Sequence, residues 1–176
     1  MSDAVWVEVA HRRVGDIRLP ESAVIRFAGL PGFPEARRFA LFQHDQDSPF
    51  SWLACLDDPD LAFVVTDPRL FFPDYAPGIP SRALEALGAD GACELLSIAN
   101  LRGERPCLNL AAPLVVDATS RRGVQVVLEE KQHAIAQALP EDAAKQAPAR
   151  SGAAGTASGG TGTSDGVEAP EVERPG

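Results

Sequence analysis

Cysteine is scarce in this chain, and what there is forms no pattern. Cys55, Cys93 and Cys107 are the only three in 176 residues. That is an odd number with no C-x-x-C spacing, so neither a disulfide framework nor a zinc knuckle is expected. Long apolar runs are missing as well. Nothing approaches the roughly 20 residues a membrane helix needs, and Met1-Ser2-Asp3-Ala4 lacks the basic and apolar regions of a signal peptide. A cytoplasmic location follows by default. Positive charge is in deficit, with 16 Lys and Arg against 25 Asp and Glu for a formal net charge of −9. A chain so acidic is poorly suited to gripping phosphate backbones, so direct contact with nucleic acid is not expected. A basic protein partner would suit it better.

Catalytic signatures are equally sparse. The sequence holds no phosphate-binding G-x-x-x-x-G-K-[ST], no G-x-G-x-x-G, no G-x-S-x-G elbow and no H-E-x-x-H. His11, His44 and His133 are scattered among polar neighbours and suggest no metal site. Cys55 and His44 lie on adjoining segments and form the one conceivable nucleophile pair, but a core thiol and a surface imidazole explain them as well. Asp57-Asp58-Pro59-Asp60 offers neighbouring carboxylates, although Asp-Pro in such a run reads first as a turn. The expectation is a protein without enzymatic activity and without a cofactor.

Aromatics are absent from the second half. All eleven (Trp6, Phe27, Phe33, Phe39, Phe42, Phe50, Trp52, Phe63, Phe71, Phe72, Tyr75) precede residue 76. The later segments must lay Leu, Val and Ile against them, so neither half is self-sufficient and residues 1–140 are expected to form one domain. Residues 151–164 are all Ser, Gly, Ala or Thr. Such a stretch has nothing large to bury and cannot offset its ordering entropy, so residues 141–176 are expected to be a disordered acidic tail. The domain itself has 19 acids and 13 bases in residues 1–140, so most of the charge excess lies there.

Short runs with a period of two, rich in β-branched and aromatic residues, recur through the domain. They fall at residues 5–9, 23–27, 39–42, 52–56, 61–65, 93–101, 113–116 and 124–128, separated by turn signals such as Leu30-Pro31-Gly32 and Arg121-Arg122-Gly123. Eight short strands predict a mainly β fold, a small antiparallel barrel that is closed or nearly so. Two helices are predicted, at 81–87 with Ser81 as its cap and at 130–139. In Gly29-Leu30-Pro31-Gly32-Phe33 the spacing predicts a stiff turn with Gly32 at positive φ and Phe33 buried. In Leu70-Phe71-Phe72-Pro73-Asp74-Tyr75, alternation cannot bury every bulky side chain on one face, and Pro73 ends any strand. Phe71, Phe72, Pro73, Asp74 and Tyr75 are therefore the candidate partner-binding residues, an aromatic rim beside a carboxylate. The other reading of the rings is a plug for one end of the barrel.

An ordered set of segments carries a resemblance. Gly29-Leu30-Pro31-Gly32-Phe33, Ser48-Pro49-Phe50-Ser51-Trp52-Leu53, Leu61-Ala62-Phe63-Val64-Val65 and Phe71-Phe72-Pro73-Asp74-Tyr75 resemble the flagellar assembly factor FliW family. The similarity continues through Asn109-Leu110-Ala111-Ala112-Pro113-Leu114-Val115-Val116 and Gly123-Val124-Gln125-Val126-Val127-Leu128. It covers roughly residues 5–135 and none of the tail. The sequence departs from the family pattern at Ala54-Cys55, where Gln-Ser is common, at Asp117, where Asn is frequent, and at His133, where Tyr is frequent.

The resemblance implies a non-enzymatic regulator that is a monomer when free. Family members bind the translational repressor CsrA and keep it off its mRNA targets, by linkage between sites rather than by filling the RNA groove. They also bind flagellin in competition with CsrA, which couples flagellin synthesis to export. The alternatives from the residues alone are a β-barrel adaptor with some other protein partner, or a small thiol-dependent hydrolase using Cys55.

Overall fold

The computed structural model describes residues 4–88, 92–101, 105–129 and 133–145. The chain opens with a ribbon, β1 (Trp6–His11) and β2 (Gly15–Pro20), paired antiparallel from Trp6–Pro20 to His11–Gly15. There follow β3 (Ile25–Phe27), β4 (Arg38–Gln43), β5 (Phe50–Cys55), β6 (Ala62–Thr66), helix α1 (Ser81–Leu87), β7 (Cys93–Asn100), β8 (Cys107–Leu108), β9 (Leu114–Asp117), β10 (Arg122–Gln125), β11 (Gln137–Ala138) and helix α2 (Glu141–Ala144). Strands β3 to β7 form an antiparallel meander, β7 also pairs with β9, β9 with β10, and β10 returns to β3. Seven strands thus close on themselves and leave no open edge in the barrel wall.

The closing pair is parallel, with Arg122 opposite Arg26 and Gly123 opposite Phe27. This departs from a purely antiparallel barrel for a geometric reason. A ring of seven strands that alternate in direction must bring two of the same sense together once. β8 and β11 extend the sheet beyond β7.

Strand alternation divides the core into an interior and two outer layers. Ile25, Phe27, Phe39, Leu53, Cys55, Val65, Leu96, Leu114 and Val116 fill the barrel, with Phe27 and Phe39 edge-to-face at 5.3 Å. The residues between them point outward. On β4 to β6 these are Ala40, Phe42, Trp52, Ala54 and Val64, which Val14, Ile17 and Leu19 of the ribbon and Leu139 and Ala143 of the C-terminal segment cover. On the opposite wall, Ala83 and Leu87 of α1 cover Val115 and Val126. Because Ala143 is 6% exposed, packed chain runs past residue 140. The residues from 146 onward, and with them nearly all of the expected tail, lie outside the described set.

Several expectations need correction. Pro80, not Ser81, caps α1, and no side chain bonds the helix N-terminus. The stretch 130–139 contains no helix among its described residues. Residues 137–138 form β11 instead, and Leu110 N donates to Ala134 O at 3.0 Å. Arg122 and Gly123 already belong to β10, so the turn ends at Arg121, held at φ 55°. The Leu30 turn behaves as expected: Phe33 N donates to Leu30 O at 2.7 Å across Pro31 and Gly32, with Gly32 at φ 83°. That is a type II turn, whose third residue needs positive φ. Phe33 is half-buried and meets Phe63 edge-to-face at 5.6 Å.

Candidate functional site

The candidate rim leaves β6 through a 3-10 turn, Pro68–Leu70. Pro68 sits at the start of that turn, where its missing N–H costs nothing, and Asp67 caps it by accepting from Arg69 N at 2.9 Å. Burial pushes the Asp67 carboxyl up, but bonds from the Arg69 side chain and backbone outweigh it and leave the pKa lowered. Phe71 N and Phe72 N both donate to Pro68 O, and Tyr75 N to Phe72 O. A segment bonded this tightly to itself presents side chains in fixed directions.

Those directions separate the five expected residues. Phe71 lies half-buried, stacked on Phe50 at 5.7 Å and 23°. Phe72 is also half-buried against the outer core layer. Tyr75 is 6% exposed, its hydroxyl donates to Leu110 O at 2.7 Å, and its ring meets His133 edge-to-face at 5.1 Å. Burial pushes the Tyr75 phenol up to about 12. Tyr75 is thus a plug of the fold. Pro73 and Asp74 are exposed.

Leu70, just before these five, is more open than any of the rings, at 61% exposure, and Ile135 stands at 75%. Ile135 follows His133, whose ring contacts Tyr75, and Ala134, whose carbonyl accepts from Leu110 N. Leu70, Pro73 and Asp74 therefore stand beside a platform of Phe71, Phe72 and Tyr75, and Ile135 lies in the segment whose His133 meets Tyr75. Scattered exposed apolar residues are ordinary on any surface. Sequence gave no sign of Ile135, because its neighbours reach the rim only through tertiary contacts.

The catalytic candidates are not assembled. Cys55 is fully buried inside the barrel, and burial pushes its thiol up, away from the reactive thiolate. His44 turns to Trp52, whose Nε1–H donates to His44 Nδ1 at 3.2 Å. The acidic run serves the fold. Asp57 accepts from Arg37 N, Arg38 N and Arg38 Nε, and Asp58 accepts from Asp60 N. Asp60 pairs with Arg12 at 2.5 Å and so ties the ribbon to the barrel. His11 is 2% exposed and strengthens that joint: Nε2 donates to Leu61 O at 3.0 Å, while Nδ1 accepts from Arg13 N at 3.2 Å. No group of three or more His, Cys, Asp or Glu that could hold a metal occurs among the described residues. Nor is any helix among them long and apolar enough to cross a membrane.

The barrel, with its ribbon and helix, has close relatives. The model of the FliW protein family matches residues 8–139. The chain belongs to the FliW family. The flagellar assembly factor FliW of Syntrophotalea carbinolica is 36% identical over 132 residues, covering 73% of this chain and 94% of that protein. That of Thermotoga neapolitana is 33% identical over 136 residues, covering 74% and 91%. A crystal structure of the flagellar assembly factor FliW superposes with a TM-score of 0.71 at 32% identity, covering 77% of this chain and 99% of that one. The FliW relationship supports a role in flagellar assembly.

The departures from the family pattern take defined places. Ala54 and Cys55 are sealed at 0% exposure and cannot touch a partner. Asp117 is 2% exposed and accepts from Ser120 N at 2.9 Å, closing the turn between β9 and β10. The bonds from Ser120 hold its carboxyl below the usual range. His133 serves as a ring partner for Tyr75.

Proposed function

We propose that this FliW chain is a non-catalytic, monomeric binding protein that holds the translational repressor CsrA away from mRNA and exchanges it for flagellin. Flagellin export would then free the chain to capture CsrA and restore flagellin synthesis. The observation that carries the reading to particular residues is the rim of Leu70, Pro73 and Asp74 on its rigid aromatic platform. An apolar and acidic surface held in place loses little freedom on binding, which favours affinity. The reading works in the cytoplasm, where repressor and unexported flagellin meet.

The route of antagonism is linkage rather than mimicry. A carboxylate cluster that imitates RNA must be free to face a basic groove. The densest acidic run of the folded chain, residues 57–60, is instead engaged in bonds to Arg38, Arg12 and backbone N–H groups. Docking beside the RNA groove and biasing it from there remains as the route.

Isothermal titration with CsrA from the same organism, repeated after saturation with flagellin, tests the exchange. Tight binding that flagellin abolishes is the expected result, and absence of a complex with either protein would overturn it. Leu70→Ser together with Pro73→Ser should weaken the complex about tenfold or more if the rim is central, with folding unchanged. Under saturating RNA, the apparent CsrA affinity should fall to a finite plateau. A decline without limit would mean direct competition.

A further inference from the structure

The ladder that β10 makes with β9 does not stop where β10 ends. Val126 N donates to Pro113 O at 2.9 Å and Leu128 N to Ala111 O at 2.8 Å, so the chain runs on as a strand to residue 128 with this edge paired throughout. In an antiparallel ladder alternate residues turn their N–H and C=O to opposite edges. Val127 therefore aims both groups at the other edge, which β3 covers only opposite Arg122 and Gly123. No described residue bonds to the Val127 backbone, and its side chain is 63% exposed. An open strand edge of this kind is a template for another strand.

The segment that faces this edge does not close it. Ala76-Pro77-Gly78-Ile79-Pro80 leads from Tyr75 into α1, and its two prolines bring no N–H to a ladder. Ala76, Gly78 and Ile79 donate to no described backbone carbonyl. Between the two stretches lies a groove of about 360 Å3, lined by Gly78, Pro80 and Arg82 on one side and by Val127, Leu128 and Glu129 on the other. Arg82 and Glu129 are exposed, and neither forms an ion pair with a described residue. The groove thus combines unpaired backbone groups, an exposed valine and one free charge of each sign. We propose that it receives an extended segment of a partner protein, which adds to Val127 as a strand and presents an acidic side chain to Arg82 and a basic one to Glu129. In this mode of recognition main-chain bonds supply affinity, and side chains at alternate positions supply specificity. Charge decides the occupant. A purely apolar strand leaves both Arg82 and Glu129 unanswered, and a strand of one charge sign is repelled by one of them.

The test pans the full chain against a phage-displayed library of random linear peptides, then titrates the selected peptides into the nitrogen-15-labelled full chain. The expected peptides carry an acidic and a basic residue in one strand-forming run without proline. They should shift the amides of Gly78, Val127 and Glu129, and slow hydrogen exchange at Val127 by about tenfold or more, because its N–H gains a partner. Arg82→Glu should weaken binding by about tenfold or more, and a peptide with its acidic residue changed to Lys should recover it. Glu129→Lys should behave likewise toward the basic residue of the peptide. Both positions are exposed and outside every ion pair of the described residues, so the rest of each variant's spectrum should be kept. Failure to select any peptide, binding that leaves Gly78 and Val127 unmoved, or binding indifferent to both reversals would overturn the proposal. Protection of Val127 that grows with protein concentration, with no peptide added, would assign the edge to a second copy and overturn it as well.

Discussion

Tyr75 is the only tyrosine in the chain, so its ionisation can be followed alone. Its hydroxyl donates to Leu110 O at 2.7 Å in a site 6% exposed, and burial raises its pKa from 10.0 to about 12. A group whose folded pKa is raised contributes stability that is complete below the unfolded value and is lost as pH climbs through the folded one. Between pH 10 and about 12 the unfolded state releases a proton that the folded state keeps. The loss amounts to about 1.4 kcal/mol per unit, or about 2–3 kcal/mol in all.

Tyr75→Phe removes this term together with the hydrogen bond. It leaves Leu110 O without its donor, so the neutral-pH cost should be about 1–2 kcal/mol. With a urea slope of about 2 kcal/mol/M, the midpoint falls by about 0.5–1 M. Urea melts of both proteins at pH 7, 10 and 11.5, with absorbance at 295 nm to follow tyrosinate, provide the assay. The two stabilities should converge as pH rises, and on the proposed function CsrA and flagellin affinities should stay within about twofold. A Tyr75→Phe protein as stable as its parent but at least tenfold weaker for either partner would refute the plug and make Tyr75 a contact.

Three further outcomes follow from buried contacts. Burial lowers the His11 pKa below 6.5, against the Leu61 carbonyl and the Asp58 and Asp60 charges, which raise it, while Arg13 lowers it further. Stability should therefore be complete above pH 6.5 and fall on acidification through the lowered value, by no more than about 1.4 kcal/mol per unit; His11→Gln should flatten that slope in urea melts. In Gly123→Ala, the new Cβ would lie 2.4 Å from the Phe27 ring, which Phe39 holds in place, so the cost should be about 1–3 kcal/mol by denaturation, with Phe27→Leu restoring part of it. Cys55 should resist iodoacetamide in the native protein and react once urea unfolds it. Labelling at native conditions with the fold intact, read by mass spectrometry, would show that the barrel interior opens.

Strand content was legible because the barrel buries both faces of most strands, and β-branched and aromatic runs mark that plainly. Trp52 to Cys55 is such a run. The partner of β1 was not, since Gly15–Pro20 carries only Ile17 and Leu19 at alternate positions, with an aspartate and an arginine between them. The 130–139 stretch misled because its apolar spacing suits a helix, while tertiary bonds at Leu110 and Pro106 draw residues 134–139 into a strand edge. At the rim the sequence identified the right segment but not the direction of each ring. Whether Tyr75 faces Leu110 or solvent depends on a contact across 35 residues, and no local pattern encodes that.

The row that Arg38, Arg26 and Arg122 form across β4, β3 and β10 shows the same limit from the other side. Arg26, Arg38 and Arg122 are isolated polar positions in three apolar runs, and each alone reads as the solvent side of a strand. Only the closing parallel pair, which an odd number of strands forces, brings Arg122 beside Arg26. That row is therefore a consequence of barrel closure.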